Sequence, residues 1–277
     1  MKIHLPEVFP NASPLWIALL VLGVGLSGAS ASTTISQNFE SSSLGSTTLP
    51  TDWSLVTVHT PPTPGYATST GAAGAGLGGS VTAYNPTINL PGAYMVNSGT
   101  SALDLNSSIT GSFDFYIDGT AGGLNANYKN ASFIFGDVET GITGTTAGQL
   151  LGANLENNTF GNKAVLVNGA GTSLTTANKL TNATWFHVAF AWTPTSGTTG
   201  NFSLTVSGSQ NWTESVTGFT FDSSDAYFGF GTSGYYQSTN PGTARFDNIS
   251  ITGTAVPEPS IALLGLLGLG FLARRRR

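Results

Sequence analysis

TWFHVAFAWTP, residues 184–194, alternates with a period of two. Successive side chains of a strand point to opposite faces, so Phe186, Val188, Phe190 and Trp192 share one side. The other side is also apolar at Trp185, Ala189 and Ala191, which predicts a central strand covered on both faces. His187 falls within that second face and reads as a packed, structural histidine. After a Gly/Thr turn, NFSLTVSG (201–208) sets Phe202, Leu204 and Val206 against Ser203 and Thr205. The two runs predict antiparallel neighbours.

The same pattern recurs outward from this pair. Phe113, Phe115 and Ile117 alternate with Asp114, Tyr116 and Asp118, and Phe133 and Phe135 repeat the motif. No long 3.6-period stretch occurs outside the two ends. The expected fold class is therefore all-β, an antiparallel β-sandwich. The tract at 60–80, TPPTPGYATSTGAAGAGLGGS, is low in complexity and reads as a Gly/Pro-rich loop, too glycine-rich for a strand.

Charge narrows the functional classes. The chain has 9 Lys and Arg and 14 Asp and Glu in 277 residues. Setting aside Lys2, Arg274, Arg275, Arg276, Arg277, Glu7 and Glu258 leaves four basic residues (Lys129, Lys163, Lys179, Arg245) against twelve acidic ones, a net charge of −8. Such a balance argues against nucleic acid as a partner, since phosphates demand a basic face. There is no Cys, so an exported domain must stabilise itself without disulfides. Aromatic residues recur throughout, which sets the chain apart from disordered Gly/Ser/Thr-rich sequences.

The two ends read as targeting segments. Residues 1–31 have a weakly basic start, a 12-residue apolar run (LWIALLVLGVGL) and small residues ending at Ala31, the pattern of a secretory signal peptide cleaved after Ala31. At the other end, Pro257, Glu258 and Pro259 precede an apolar run and then Arg274, Arg275, Arg276 and Arg277. Two prolines fix φ and remove backbone donors, so a helix begins near Ser260. From there through the arginines it spans roughly 26 Å at 1.5 Å per residue. Arginines that snorkel make a short transmembrane helix at 260–273 workable, with the charges on the cytoplasmic side.

This tail resembles the PEP-CTERM sorting signal of Gram-negative bacteria, the tag that exosortases recognise. The resemblance implies an exosortase partner, transient anchoring by the C-terminal helix, processing near Pro257-Glu258-Pro259, and transfer to the cell surface or exopolysaccharide matrix. The organisation expected is a signal peptide at 1–31, an ectodomain at 32–254 and a sorting signal at 255–277.

A second resemblance concerns the ectodomain. WFHVAFAW with NFSLTVSG resembles the strand pair of laminin-G-like and concanavalin A-like jelly rolls. YFGFGTSGYY and ARFDNISITG match the closing strands of such domains, and NFE (38–40) with LPTDW (49–53) fits the opening strands of carbohydrate-binding members. The resemblance implies a jelly roll that hosts lectins, hydrolases and adhesion modules, so activity must come from the site and not the fold.

Catalysis finds little support in the residues. The ectodomain has two histidines, His59 and His187, and lacks a G-x-S-x-G elbow, which argues against triads and zinc centres. His59, just before Pro61 and Pro62, reads as a solvated strand end. Glycosidases pair two carboxylates about 5–9.5 Å apart. Asp114 and Asp118 would lie roughly 13 Å apart along one strand face, too far, whereas Asp137 and Glu139 would lie about 7 Å apart. GDVET around them resembles a degraded laminarinase-type catalytic strand without its first Glu. The expectation is no enzyme, with a glycoside hydrolase on the same fold as the alternative.

Binding has better candidates. In ARFDNISI, Asp247 shares parity with Ile249 and Ile251 and is expected to face the core, where a carboxylate needs a partner. Arg245, at the same parity, is one partner. A structural Ca²⁺ is the other, because calcium-binding jelly rolls that this chain resembles hold the ion by a Glu of the first strand and an Asp of the last, the places of Glu40 and Asp247; calcium favours hard oxygen ligands. Sugar contact requires exposed rings, and Tyr235 and Tyr236 lie in the polar turn GTSGYYQSTNPG, with Tyr66 and Tyr84 as similar candidates. The combined expectation is an exported, non-enzymatic surface or matrix protein, carbohydrate-binding or adhesive, with exopolysaccharide as a partner.

Overall fold

A computed structural model describes residues 31–58, 65–72, 76–83, 92–97, 102–117, 129–136, 150–157, 163–168, 173–175, 184–209, 211–221, 223–234 and 242–256. The chain divides into two units, Met1–Ala31 and Ser32–Arg277, and the strands belong to the second. They are β1 (Ser32–Gln37), β2 (Trp53–Val58), β3 (Gly65–Thr70), β4 (Leu77–Ala83), β5 (Gly92–Asn97), β6 (Leu103–Asp104), β7 (Ile109–Ile117) and β8 (Lys129–Gly136). Then come β9 (Leu150–Asn157), β10 (Lys163–Asn168), β11 (Ser173–Thr175), β12 (Trp185–Ser196), β13 (Thr199–Ser207), β14 (Trp212–Thr220), β15 (Asp225–Gly234) and β16 (Gly242–Thr254).

The strands form two antiparallel sheets. One, called here the first sheet, runs β14-β13-β12-β7-β16-β4-β3, with β1 also paired to β16. The second runs β11-β10-β9-β8-β15-β5-β2, with β6 also paired to β15. The fold class is all-β, as the alternating patterns predict.

Aromatic side chains from the two inner faces fill the space between the sheets. Phe113 of β7 has its ring 5.0 Å from both Phe133 of β8 and Phe230 of β15. Phe133 also meets Phe190 of β12 at 4.6 Å, and Phe230 meets Phe246 of β16 edge-on at 5.5 Å. Tilted and edge-on rings at these separations suit the aromatic quadrupole and add to the area that they bury. Trp192 is fully buried, and its indole N–H donates to the Leu105 carbonyl at 2.9 Å. The ring thereby keeps its polar atom satisfied inside the core.

Two expectations change here. The tract at 60–80 contains β3 and most of β4. Its glycines serve close approach: a Cβ on Gly79 would come within 2.6 Å of the Phe39 ring, and one on Gly78 within 2.9 Å of the Phe246 carbonyl oxygen. Glycine in a strand marks such crowding as well as flexibility. The second difference concerns β12. It is central, between β7 and β13, but its outer face is not covered throughout, since the His187 side chain is 51% exposed.

Residues 1–30 and 257–277 lie outside the described residues, so the expected signal peptide, sorting motif and transmembrane helix carry no structural description. Among the described residues, no helix is long and apolar enough to cross a membrane.

Candidate functional site

The last strand decides where the candidate residues point. On β16, Ala244 and Phe246 face the core, and so do Ile249 and Ile251. Both pairs reach the same side only because the register with β7 shifts between Asp247 and Ser250, with Asn248 at φ 50°. A bulge adds one residue and reverses parity beyond it. Asp247 therefore lies, with Arg245, on the outer face of the first sheet, and not toward the core as its parity with Ile249 predicts.

Asp247 is buried all the same, at 3% exposure, because the chain between β3 and β4 covers it. Its Oδ2 accepts the Ala72 N–H at 2.8 Å and its Oδ1 accepts the Asn248 N–H at 2.7 Å. Burial raises its pKa above the ordinary value; the two amides pull it down, while the nearby carboxylates of Asp114 and Glu40 push it up. Arg245 is not among the partners of Asp247 in the described residues. Its guanidinium lies 5.1 Å from the centre of the Tyr116 ring, so the expected Arg245–Asp247 pair does not form.

Glu40 arrives from the other side. Phe39 takes a left-handed φ of 60°, its N–H donating to Gln37 Oε1 at 2.6 Å, and buries its ring while Glu40 stays exposed. Glu40 Oε1 then accepts the Leu77 N–H at 2.8 Å. The structure thus brings Glu40 and Asp247 to one connection, where Gly71 and Gly76 lack the Cβ that would crowd their carboxylate oxygens. Asp247 is thus a buried carboxylate whose charge Asp114 and Glu40 oppose, and each oxygen described here already accepts a backbone N–H. Among the described residues, no three His, Cys, Asp or Glu side chains converge as a metal site, so ligands of a cation beyond Glu40 and Asp247 would be backbone oxygens.

Beside Asp247 on the same outer face, β7 and β12 carry a polar group. Asp114 Oδ1 lies 2.7 Å from His187 Nδ1, and Asp114 Oδ2 accepts the Asn248 amide N–H at 2.8 Å. His187 is therefore a half-exposed member of a surface network and not a packed histidine. One step further along the strands, Trp185 and Tyr116 are cross-strand partners with rings 5.5 Å apart at 49°. Alternation alone assigns Trp185 to packing and sets Tyr116 on the polar face of β7, so neither stands out in the sequence as a site residue. The available signal was their parity, opposite to Phe186 and Phe115 and shared with His187 and Asp114.

Tyr66 is not an exposed sugar platform. It is 5% exposed, its ring stands 6.4 Å from Phe39, and burial pushes its hydroxyl up to about 12. Tyr84, Tyr235, Tyr236, His59, Asp118, Asp137 and Glu139 lie outside the described residues. A cavity of about 530 Å³ opens near β1, with Gln37, Ser41, Ser42, Ser46 and Thr48 in its lining. It offers hydroxyls but no ring face.

No curated protein matches the chain by sequence. Residues 255–277 match the PEP-CTERM protein-sorting motif. The chain carries a PEP-CTERM sorting signal. That signal implies a secreted protein, anchored through its C-terminal segment and processed by an exosortase. Among solved structures, a lectin from Bauhinia forficata in complex with GalNAc is 14% identical, with a TM-score of 0.51 and coverage of 82% of this chain and 100% of that one. A Lotus tetragonolobus seed lectin is 9% identical, with a TM-score of 0.52 over 80% and 100%. A protein of unknown function from Shewanella oneidensis is 15% identical, with a TM-score of 0.50 over 91% and 97%. The likeness is one of fold, and the fold is the concanavalin A-like jelly roll.

Proposed function

We propose that this PEP-CTERM protein is a non-enzymatic component of the cell surface or exopolysaccharide matrix, and that its jelly roll binds carbohydrate. The observation that carries the reading is the joining of an exosortase-type sorting motif to a sandwich shared with lectins, one of them in complex with GalNAc. Export puts the domain where glycans are the abundant partners, and its acidic, hydroxyl-rich composition suits neutral glycans better than polyanions. Tyr235 and Tyr236 remain candidate sugar contacts, because large rings in a polar turn have little core role. Pro257, Glu258 and Pro259 are the proposed recognition motif and Arg274, Arg275, Arg276 and Arg277 the stop-transfer cluster. A Ca²⁺ ion on Glu40 and Asp247 is proposed as a structural cofactor, where it would neutralise the carboxylates that grip the β3–β4 connection.

A glycan-array screen of the purified chain tests the reading. Saturable binding to a defined glycan is the expected result, and no binding to any glycan would overturn it. The alternative, a glycoside hydrolase, requires hydrolysis of a β-glucan that disappears in Asp137→Asn or Glu139→Gln.

A further inference from the structure

The outer face of the first sheet carries two features that the packing of the core does not explain. One is the pair Trp185 and Tyr116, partly exposed rings on adjacent central strands, on the side away from the core. The other is a run of small, uncharged side chains next to the Asp114–His187 row. Strand register lines up Thr213, Thr205, Ala189, Ser112, Ser250 and Ser36 across six strands. The next row repeats the chemistry from Ser215 to Thr34. A row across six strands runs roughly 24 Å at about 4.8 Å per strand. That is longer than a monosaccharide, and the side chains along it are small.

We propose that this face is the glycan-binding surface, with Trp185 as the stacking ring, Tyr116 beside it as its support with Arg245 against its own ring, and the Ser/Thr/Ala rows as the bed of a neutral polysaccharide chain. The inference rests on the carbohydrate reading above and gives it a place and a substrate class. Ring faces meet the C–H faces of a pyranose, and a polar edge beside them fixes orientation. The edge here is His187, Asp114 and Asn248. Asp114 uses both oxygens within the protein, while His187 and Asn248 are exposed and able to meet sugar hydroxyls. Charge selects the neutral class. Arg245 is outnumbered by Asp114, Asp247 and Glu40 at this side of the sheet, and the two rows carry no charge at all, so a uronate polymer would find repulsion and little compensation.

The test is affinity electrophoresis of the full chain, in detergent, through gels containing a β-glucan, a xylan, a galactomannan or alginate. The wild type is expected to be retarded by at least one of the three neutral polymers. Trp185→Ala and Tyr116→Ala should each weaken that affinity by about tenfold or more, and Trp185→Phe should retain most of it. Thr205→Arg, at an exposed position, should weaken it without altering the core, with melting temperature as the check on folding. Undiminished binding by the folded Trp185, Tyr116 and Thr205 variants would overturn this placement and leave carbohydrate binding intact. Retardation by alginate alone would overturn the neutral-glycan assignment. Retardation by none of the four overturns the inference, while the glycan-array screen still decides the broader reading.

Discussion

Glu40 and Asp247 hold the two ends of one connection: Asp247 Oδ2 takes the Ala72 N–H and Glu40 Oε1 takes the Leu77 N–H, each at 2.8 Å. One carboxylate follows the first strand and the other lies in the last, so a segment between β3 and β4 is tied to both ends of the ectodomain. Each bond to a charged acceptor is stronger than a neutral one. Their proximity also sets the carboxylates against each other, since Glu40 raises the pKa of Asp247. A cation between them would remove that opposition.

Calcium removal therefore tests the pair. An ion that binds only the folded state at 100 times its Kd adds roughly 2.7 kcal/mol. Chelator should lower the melting temperature of the wild type by several degrees, and Asp247→Asn should abolish the difference. Glu40→Gln should reduce it. A wild type that melts at one temperature with and without chelator ends the calcium proposal.

The pH dependence in chelator has an unusual sign. Asp247 has a raised pKa in the folded state, mainly from burial, so between the unfolded value and the folded one the native state binds more protons than the unfolded state. Stability contributed by this group then rises as pH falls through the folded pKa, and levels off below the unfolded value. Ordinary salt-bridged aspartates do the reverse. The melting temperature of the wild type minus that of Asp247→Asn should rise as pH is lowered from 7 toward 4. A difference that stays constant or falls over that range would show that Asp247 is not destabilised as an ion.

The sequence made the core legible because β7, β12 and β13 keep strict alternation: Phe113, Phe190 and Leu204 are buried where a period of two puts them. The sorting tail was legible as an ordered motif. The orientation of Asp247 was not, because one residue in a left-handed conformation at Asn248 reverses parity and nothing in ARFDNISI marks it beyond an Asn that tolerates such a φ. Nor were β3 and β4, where the glycines accommodate Phe39 and the backbone of β16, a tertiary demand that composition reports as a loop. Trp185 and Tyr116 were visible as letters, but an apolar residue on a central strand reads as packing until its exposure is known, and both are partly exposed here.

Phe39 and Gly79 should be energetically coupled. A Cβ on Gly79 would come within 2.6 Å of the fully buried Phe39 ring, and overpacking of this kind costs about 1–3 kcal/mol. Gly79→Ala should lower the melting temperature accordingly. Phe39→Leu loses ring contacts but makes room, so the double variant should be more stable than the sum of the single losses requires. Strict additivity would mean that the glycine is not there for the ring.

The tail makes a prediction about delivery. Proline fixes φ and cannot donate to a helix, so the sequence predicts that Pro257 and Pro259 stay out of a helix formed by the apolar run. In the proposed arrangement the motif precedes the helix that the sequence predicts from near Ser260. Replacing Pro257 and Glu258 with Ala in an exosortase-bearing host removes the recognition chemistry and lets the helix extend backward. The expected product is a full-length species retained in the membrane fraction. Removing only Arg274, Arg275, Arg276 and Arg277 weakens the stop-transfer signal and should instead reduce membrane retention before processing. Mass spectrometry of the released protein and fractionation of the cells read both effects. A Pro257/Glu258 variant with wild-type mass and distribution would show that the motif is not what the exosortase recognises.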